Sequence, residues 1–323
     1  MPAAKIGRMN SIVFSSLAPV VLLIGAGFLA GRLHWIRATA VKDLSNLIFF
    51  LFTPALLFRT MSRVRVEELD FKPVAAYFVA AGLLFAGTLA VQGFNRRAAV
   101  LALAATFSNT VMIGIALVGL MYGPAGLVTL LTLISVHSLV LLTSATVVLE
   151  LAVAREAKTV GGAAALPRHP VVTVLMAIKN AVLHPVPLPI IAALLFAQTG
   201  LVIPAVLDKP LELLASGFGP TALVLVGVTL AFTPIGSHWK GALALAGAKN
   251  LLHPLVVFGL CYLLGVSGLP MTVMVVVAAL PIGANVFLFS QRYAVAEDLV
   301  TAAVAMSTAA ALVTLTLVLL TVG

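Results

Sequence analysis

Two apolar stretches of the chain carry polar residues at positions where a lipid-facing helix would carry aliphatic side chains. The first, AATFSNTVMIGIAL, covers residues 104–117, and the second, AALPIGANVFLFSQ, covers residues 278–291. A polar group buried in lipid without a partner is costly, so these groups should face protein, water or a ligand. Amides bind anions through NH₂ and cations through C=O, which makes Asn109 and Asn285 candidate binding residues.

Helix breaks are predicted in both stretches, because glycine or proline interrupts each apolar run. A break frees backbone groups, and the N-terminus of the second half-helix presents N–H groups and partial positive charge to an anion. The alternative is that Ser108, Asn109 and Thr110 hold neighbouring helices together through hydrogen bonds. The binding interpretation is favoured because a similar break occurs in each half of the chain.

A third group of candidates lies in LALAGAKNLLHPLVVF, where Lys249 and His253 are one helical turn apart. A charged residue inside a membrane span indicates a functional site, and without a nearby acid its natural partner is an anion. The alternative is that Lys249 reaches the membrane interface, since it lies about nine residues, or roughly 13 Å, beyond Lys240. For His137, in another span, a packing role is favoured over a transport role.

Several functions are disfavoured because the sequence lacks the residues that they require. All ten Asp and Glu residues fall at span ends or in loops, which disfavours a proton antiporter built on buried acids. The sequence has no metal-ligand cluster, catalytic triad or phosphate-binding loop, so we predict no enzyme, no cofactor and no metal site. Cys261, the single cysteine, is predicted to be a buried small hydrophobe.

The composition defines the class of protein in which these residues must act. Of the 323 residues, 62% are hydrophobic and 9% are charged, and the mean hydropathy is +1.19. A soluble domain is about 45–50% apolar and about 25% charged, so we predict an all-α integral membrane protein whose surroundings are the lipid bilayer. The net charge of +9 is explained by basic cytoplasmic loops and does not indicate nucleic acid as a partner.

Apolar runs long enough to cross a bilayer, which takes roughly 17–25 residues, occur about ten times. The predicted spans cover approximately residues 11–31, 43–61, 73–94, 98–121, 125–153, 181–199, 208–234, 240–265, 270–291 and 297–321. Pro54 in the second span is predicted to be a structural kink. Gly217, Gly219 and Pro220 are predicted to break the seventh span.

The most polar linker, at residues 155–170, divides the chain into two units of five spans, 1–154 and 171–323. Because five is odd, the second unit must be inserted upside down relative to the first. Inverted repeats with broken helices at matching places are typical of secondary transporters, and the breaks mark the binding site. The distribution of Lys and Arg predicts that both termini lie outside and that the linker is cytoplasmic.

Segments from spans throughout the chain resemble the auxin efflux carrier family, which includes plant carriers and bacterial permeases described as malonate or malate transporters. The segments are SNLIFFLFTPALLF, SNTVMIGIAL followed by MYG, FGPTALVLVGVTLA, AKNLLHPLVV and ALPIGANVFLFSQRY. The chain length and short linker resemble a bacterial member. The resemblance implies ten helices in two inverted five-helix repeats, in the fold of bile acid sodium symporters, with broken helices four and nine crossing each other.

The resemblance also implies a mechanism and a site. Spans one, two, six and seven would form a scaffold that often makes a homodimer, and the other spans would move as an elevator. The substrates would be small organic anions, and the crossing would contribute Asn109, Gly114, Pro281 and Asn285. The chain departs from the family at Ala116, where a proline is common. Because this proline is absent, the break predicted in the fourth helix must come from Gly114 and the polar residues before it, and the alternative is a helix that is only bent.

We therefore predict a multi-pass protein of the cell inner membrane that carries a small organic anion such as malonate or malate. Asn109 and Asn285 would line the site, and Lys249 and His253 would supply positive potential. A sodium-coupled carrier of a bile-acid-like substrate is the alternative of the same class. A membrane sensor or a channel is the alternative of another class, and saturable uptake would distinguish a carrier from a channel.

Overall fold

The computed structural model describes residues 18–64, 67, 69–159, 187–233 and 236–322, and their regular structure is helical apart from one antiparallel bridge between Ser108 and Ile282. The α-helices are α1 (Ala18–Arg32), α2 (Ala40–Leu47), α3 (Thr53–Met61), α4 (Lys72–Gln92), α5 (Arg96–Thr106), α6 (Ile115–Thr159), α7 (Pro187–Gln198), α8 (Ala205–Phe232), α9 (Trp239–Gly247), α10 (His253–Leu263), α11 (Gly268–Ala278), α12 (Asn285–Arg292) and α13 (Glu297–Val322). Single π-helical turns join α2 to α3, lead into α6, and join α9 to α10. The prediction of an all-helical protein is confirmed for these ranges.

Six helical stretches in the described ranges are long and apolar enough to cross a membrane. They are Ala40–Met61, Lys72–Gln92, Thr110–Val153, Ala205–Phe232, Trp239–Leu263 and Glu297–Val322. Three shorter apolar helices cover Ala18–Arg32, Leu188–Gln198 and Gly268–Ala278. The chain is thus a multi-pass membrane protein by length and composition of its helices, while the predicted total of ten spans and their inverted arrangement stay predictions.

Two of the π-helical turns end two residues before a proline. Ile48–Phe52 precedes Pro54, and Ala248–Leu252 precedes Pro254. Proline has no N–H, and its ring clashes with the carbonyl of the preceding turn, so the helix widens there instead of ending. In the first turn the Thr53 hydroxyl donates to the Ile48 carbonyl at 2.8 Å. The helix is thus irregular next to Pro54, and the kink predicted there stays a prediction.

The break predicted in the seventh span is wrong, because α8 continues through Gly217, Gly219 and Pro220. These residues allow close packing instead. Gly217 lies against the ring of Phe52, and a Cβ at Gly219 would touch Ala116. Small residues at a helix surface bring neighbouring helices together without changing the path of the backbone.

The boundary between the fourth and fifth predicted spans is a kink inside α6. Gly123 has φ 59° and ψ −153°, which an L side chain rarely adopts, and Pro124 follows it. The predicted linker at 155–170 begins inside a helix, because α6 runs to Thr159, and its other residues lie outside the described ranges. The first residues of the first and sixth predicted spans also lie outside them. Cys261 is buried, as predicted.

Candidate functional site

Each polar stretch is a helix interrupted by a short non-helical segment. Residues 107–109 separate α5 from the π-helical turn Thr110–Gly114, and residues 279–284 separate α11 from α12. The fourth span is therefore broken, as predicted, and the alternative of a helix that is only bent at Ala116 is wrong. The break lies at the polar residues, while Gly114 closes the π-helical turn that follows. We call residues 107–109 and 279–284 together the crossing.

The two halves of the crossing are joined by reciprocal backbone hydrogen bonds. The Asn109 N–H donates to the Pro281 carbonyl at 2.9 Å, and the Gly283 N–H donates to the Phe107 carbonyl at 2.9 Å. The bonds satisfy polar groups that a broken helix exposes, which is necessary at membrane depth. The prediction that the two broken segments meet is confirmed by this bridge.

Two glycines lie where the segments approach each other closely. A Cβ at Gly283 would lie 2.7 Å from Cδ1 of Phe107 and 3.2 Å from the Ser108 carbonyl oxygen. A Cβ at Gly114 would lie 2.9 Å from Cδ1 of Leu280. Gly114 was predicted as a residue of the crossing, and its observed role is this close approach.

The two asparagines begin the half-helices that leave the crossing. Asn109 Oδ1 accepts a hydrogen bond from the Met112 N–H at 3.2 Å, so its NH₂ group points away from the helix that it caps. Asn285 is the first residue of α12, is half-buried, and its side chain makes no hydrogen bond to the described residues. The bridge pairs Asn109 with Pro281, so the two asparagines lie on opposite sides of it and do not contact each other through hydrogen bonds.

Lys249 is fully buried, at 0% exposure, and its ammonium holds the second half of the crossing. Its Nζ donates to the carbonyls of Ala278 at 2.6 Å and Leu280 at 2.8 Å. These carbonyls lie at the C-terminal end of α11, where the helix dipole favours a cation. The alternative that Lys249 reaches the membrane interface is therefore wrong. Its effect on a bound anion would act through the electrostatic field, because two of its three donors are engaged by the protein.

Ser307 on α13 contacts the crossing, and the sequence did not indicate this contact. Its hydroxyl accepts a hydrogen bond from the Ile282 N–H at 3.1 Å, and its carbonyl accepts one from Asn250 Nδ2 at 2.8 Å. The only signal was a pair of hydroxyl residues, Ser307 and Thr308, within an apolar run. Hydroxyls in membrane helices commonly bond to their own backbone, so that pair carried little information.

Tyr77 on α4 connects the crossing to two buried histidines. Its hydroxyl shares a hydrogen bond with Ser108 Oγ at 2.8 Å and lies 3.3 Å from His137 Nε2. The His253 ring packs against Tyr77 with ring centroids 5.1 Å apart, and the His137 ring lies 4.7 Å from that of Phe107. We call Tyr77, Ser108, His137 and His253 the tyrosine–histidine cluster. Sequence analysis did not single out Tyr77, although it is the only tyrosine in α4.

Ionic contacts link the helices at one end of the interrupted segments. The backbone N–H of Arg96, the first residue of α5, donates to Glu156 at 2.9 Å, and its guanidinium contacts the same carboxylate at 2.6 Å. The backbone hydrogen bond and then the guanidinium hold the pKa of Glu156 below its ordinary value. The Arg96 guanidinium also reaches the Tyr293 carbonyl, and the Tyr293 hydroxyl donates to Glu150 at 2.8 Å.

A second ionic group joins α3 to α8. Arg59 contacts Asp208 at 2.7 Å and Glu212 at 3.6 Å, and Arg63 contacts Asp208 at 3.2 Å. These contacts hold the end of α3 and the residues after it against the first turn of α8.

The described residues contain no group of three or more His, Cys, Asp and Glu side chains that could hold a metal ion. The polar groups at the crossing are instead amides, hydroxyls, an ammonium and backbone groups. Such groups can hold small polar ligands and ions by hydrogen bonds and electrostatic attraction.

The chain is similar to known membrane transport proteins. The sequence pattern of a family described as membrane transport protein matches residues 12–319. A protein of Rhizobium meliloti (strain 1021) named "Putative malonate transporter" is 28% identical over 306 residues, and the match covers 92% of each chain.

Proposed function

The chain belongs to the membrane transport protein family, which includes the auxin efflux carriers, and on this premise we propose that it is a secondary transporter of small organic anions. The observation that carries the proposal is the crossing, where two interrupted helices meet with amide groups available at its edges. Interrupted helices of this kind form the substrate sites of many secondary transporters. Malonate is the first candidate substrate because of the name of the Rhizobium relative.

The electrostatics of the crossing favour an anion over a cation. Asn109 has its oxygen engaged by the backbone and its NH₂ group available, and Asn285 lies at the N-terminus of α12. The buried ammonium of Lys249 adds positive potential. The Asp and Glu residues of the described ranges lie in loops or towards the ends of the membrane helices, so no carboxylate opposes an anion at this depth.

We further propose the ten-span inverted repeat and an elevator movement. The reciprocal hydrogen bonds of the bridge support the repeat, because a local two-fold axis relates the two halves of such a pair. Packing supports the division into two groups, since α3 packs against α7 and α8, whereas α4 packs against α5 and α10, and α9 against α13. The first group corresponds to the proposed scaffold and dimer surface, and the second to the moving part. The proposed location is the bacterial inner membrane.

Lys249 also argues against the sodium-coupled alternative. A sodium ion at the crossing would need carbonyl oxygens freed by the helix break, as hard cations prefer oxygen ligands. Two of these, from Ala278 and Leu280, accept hydrogen bonds from the Lys249 ammonium. The protein thus supplies its own cation at the place where that alternative requires sodium.

Uptake of radiolabelled malonate into proteoliposomes tests the proposal. We expect saturable uptake by the parent and about tenfold lower uptake at limiting malonate by Asn285→Ala, because a hydrogen bond to a charged group contributes about 1.5–3 kcal/mol. The apparent melting temperature of Asn285→Ala should stay that of the parent, since the side chain makes no hydrogen bond to the described residues. Asn109→Ala should lose uptake and also stability, by about 1 kcal/mol, because it removes a helix cap.

Gln291→Ala is the matched control, because Gln291 is an exposed amide on the same helix as Asn285. If Asn285→Ala transports malonate and other dicarboxylates as well as Gln291→Ala does, the site assignment is wrong. If the parent transports none of a panel of dicarboxylates, monocarboxylates and indole acids, the proposed function is wrong.

A further inference from the structure

The tyrosine–histidine cluster is a buried polar group that the proposed anion site leaves unused. Its four side chains are at most 1% exposed, and they come from four different parts of the chain. Tyr77 lies between the two imidazoles, with ring centroids 5.7 Å from His137 and 5.1 Å from His253. Its hydroxyl connects His137 to the crossing through Ser108, and its ring contacts His253. The cluster is therefore adjacent to the first interruption and enclosed by protein.

Three of the four imidazole nitrogens have no hydrogen-bond partner among the described residues. They are Nδ1 of His137 and both nitrogens of His253. A buried polar group left without a partner costs about 1–3 kcal/mol, so most buried histidines that serve only for packing are satisfied. Polar groups that violate this rule inside a membrane protein are commonly functional. The free nitrogens can each accept or hold a proton.

The charged and titratable groups around the cluster determine how readily an imidazole of the cluster takes up a proton. The titratable groups that face the two imidazoles are Tyr77 on α4, Lys249 in the π-helical turn before α10, and each other. The packed helix α11 has no titratable residue. A proton on either ring would add a second positive charge beside Lys249 without a carboxylate to balance it, and an unpaired buried charge is costly. A negative charge at the crossing would remove this obstacle.

We propose that His137 and His253 form a proton-binding site that is filled together with the organic anion, so that the protein carries a proton and an anion in the same direction. The proposal rests on the proposed function. One proton from water on the side of entry binds to a ring nitrogen as the anion binds, and it returns to water with the anion on the other side. Each ligand stabilises the binding of the other by the same factor, because linkage is reciprocal.

Isothermal titration of malonate into the purified parent protein measures this linkage directly. Titrations at one pH in two buffers of different ionisation enthalpy give the number of protons taken up per bound malonate. At a pH where malonate is fully ionised and both imidazoles are neutral, we expect an uptake of about one proton and an affinity that rises about tenfold for each pH unit lowered. If the parent binds malonate without proton uptake, this proposal is wrong and the proposed function stands.

Variants locate the proton. His137→Asn and His253→Gln should each reduce the number of protons taken up, whatever their affinity for malonate. His34→Asn should take up as many protons as the parent, because His34 is exposed and its φ of 58° suits asparagine. If both cluster variants take up protons as the His34 variant does, the site is elsewhere. If neither variant folds, the number of protons taken up by the parent still decides whether malonate binding is coupled to proton uptake. If the parent binds no organic anion at all, the proposed function and this coupling fail together.

Discussion

The two halves of the crossing make the same backbone contact but are held open by different means. The first half is a break of three residues, 107–109, and the side chain of Asn109 caps the turn that follows it. The second half is a break of six residues, 279–284, and side chains from other helices hold it. Lys249 binds its carbonyls, and Ser307 accepts from one of its N–H groups.

The difference follows from how many backbone groups each break exposes. A helix end leaves several N–H or C=O groups without intrahelical partners. A longer break leaves more of these groups without a hydrogen-bond partner in the same segment. In the first half the Asn109 cap and the bridge bond the backbone groups, while Tyr77 of α4 bonds only the Ser108 side chain. The break therefore forms without a proline at Ala116. In the second half the long break depends on α13 and on the turn before α10. The second half should therefore respond to changes elsewhere in the protein more strongly than the first.

Replacing Lys249 should have the largest effect. Lys249→Met keeps an apolar stem of similar length but removes both hydrogen bonds to the carbonyls of Ala278 and Leu280. A buried acceptor left without its donor costs about 1–3 kcal/mol, so we expect a loss of about 2–5 kcal/mol in stability. Thermal unfolding of the purified protein in detergent, followed by circular dichroism, would show a lower apparent melting temperature.

Lys240→Met is the matched control for that measurement. Lys240 is exposed near the start of α9 and precedes Lys249 on the same helical stretch. Its replacement should change stability by no more than about 0.5 kcal/mol, as is usual for surface residues. Equal melting temperatures for the two variants would mean that Lys249 does not hold the second half of the crossing.

Gly283 in the crossing and Gly114 just after its first half test the difference between the two halves directly. An alanine at Gly283 would collide with the Phe107 ring and approach the Ser108 carbonyl, so the backbones must separate, at a cost of about 1–3 kcal/mol. An alanine at Gly114 would meet only the end of the Leu280 side chain, which can rotate away. We therefore expect Gly283→Ala to lower the melting temperature clearly and Gly114→Ala to lower it less.

Gly247→Ala is the reference variant, because no atom lies within 4 Å of a Cβ at that position on α9. It should be neutral or slightly stabilising, since alanine is a better helix former than glycine. If Gly114→Ala is as destabilising as Gly283→Ala, the two halves of the crossing are equally constrained.

Sequence reasoning located the crossing because its signals are local. A polar residue, a glycine or a proline inside an apolar run can be recognised without knowledge of the fold, and this was sufficient for Asn109, Pro281 and Asn285. The membrane class followed from composition in the same way. The same reasoning failed at Gly217 and Pro220, since a packed helix tolerates both residues when the neighbouring helix fills the space beside them.

The partners of the crossing could not be predicted, because they come from distant parts of the chain. The Lys249 ammonium finds its carbonyls about thirty residues away, and Ser307 and Tyr77 reach the crossing from α13 and α4. Periodicity places a residue on a face of its helix but does not say which helix packs there. The choice between an interfacial and a buried Lys249 therefore required the structure.

Arg96 connects the outer ends of the two interrupted segments. It begins α5, binds Glu156, and reaches the carbonyl of Tyr293 just after α12. The smallest effect is expected here. The Glu156 side chain is 34% exposed, and a solvated ion pair contributes at most about 1 kcal/mol. Glu156→Gln should therefore lower the melting temperature slightly at neutral pH, and high salt should reduce the difference.

The pH dependence of this difference has a definite sign. The pKa of Glu156 is lower in the folded protein than its ordinary value of 4.5, so the folded state favours the ionised carboxylate. The stabilisation is complete above pH 4.5 and is lost as the pH falls through the lower pKa of the folded state. Melting temperatures of the parent and Glu156→Gln should thus converge in acid, through loss of stability by the parent. A difference that stays constant from neutral pH to well below pH 4.5 would show that the charge of the Glu156 carboxylate does not stabilise the folded protein.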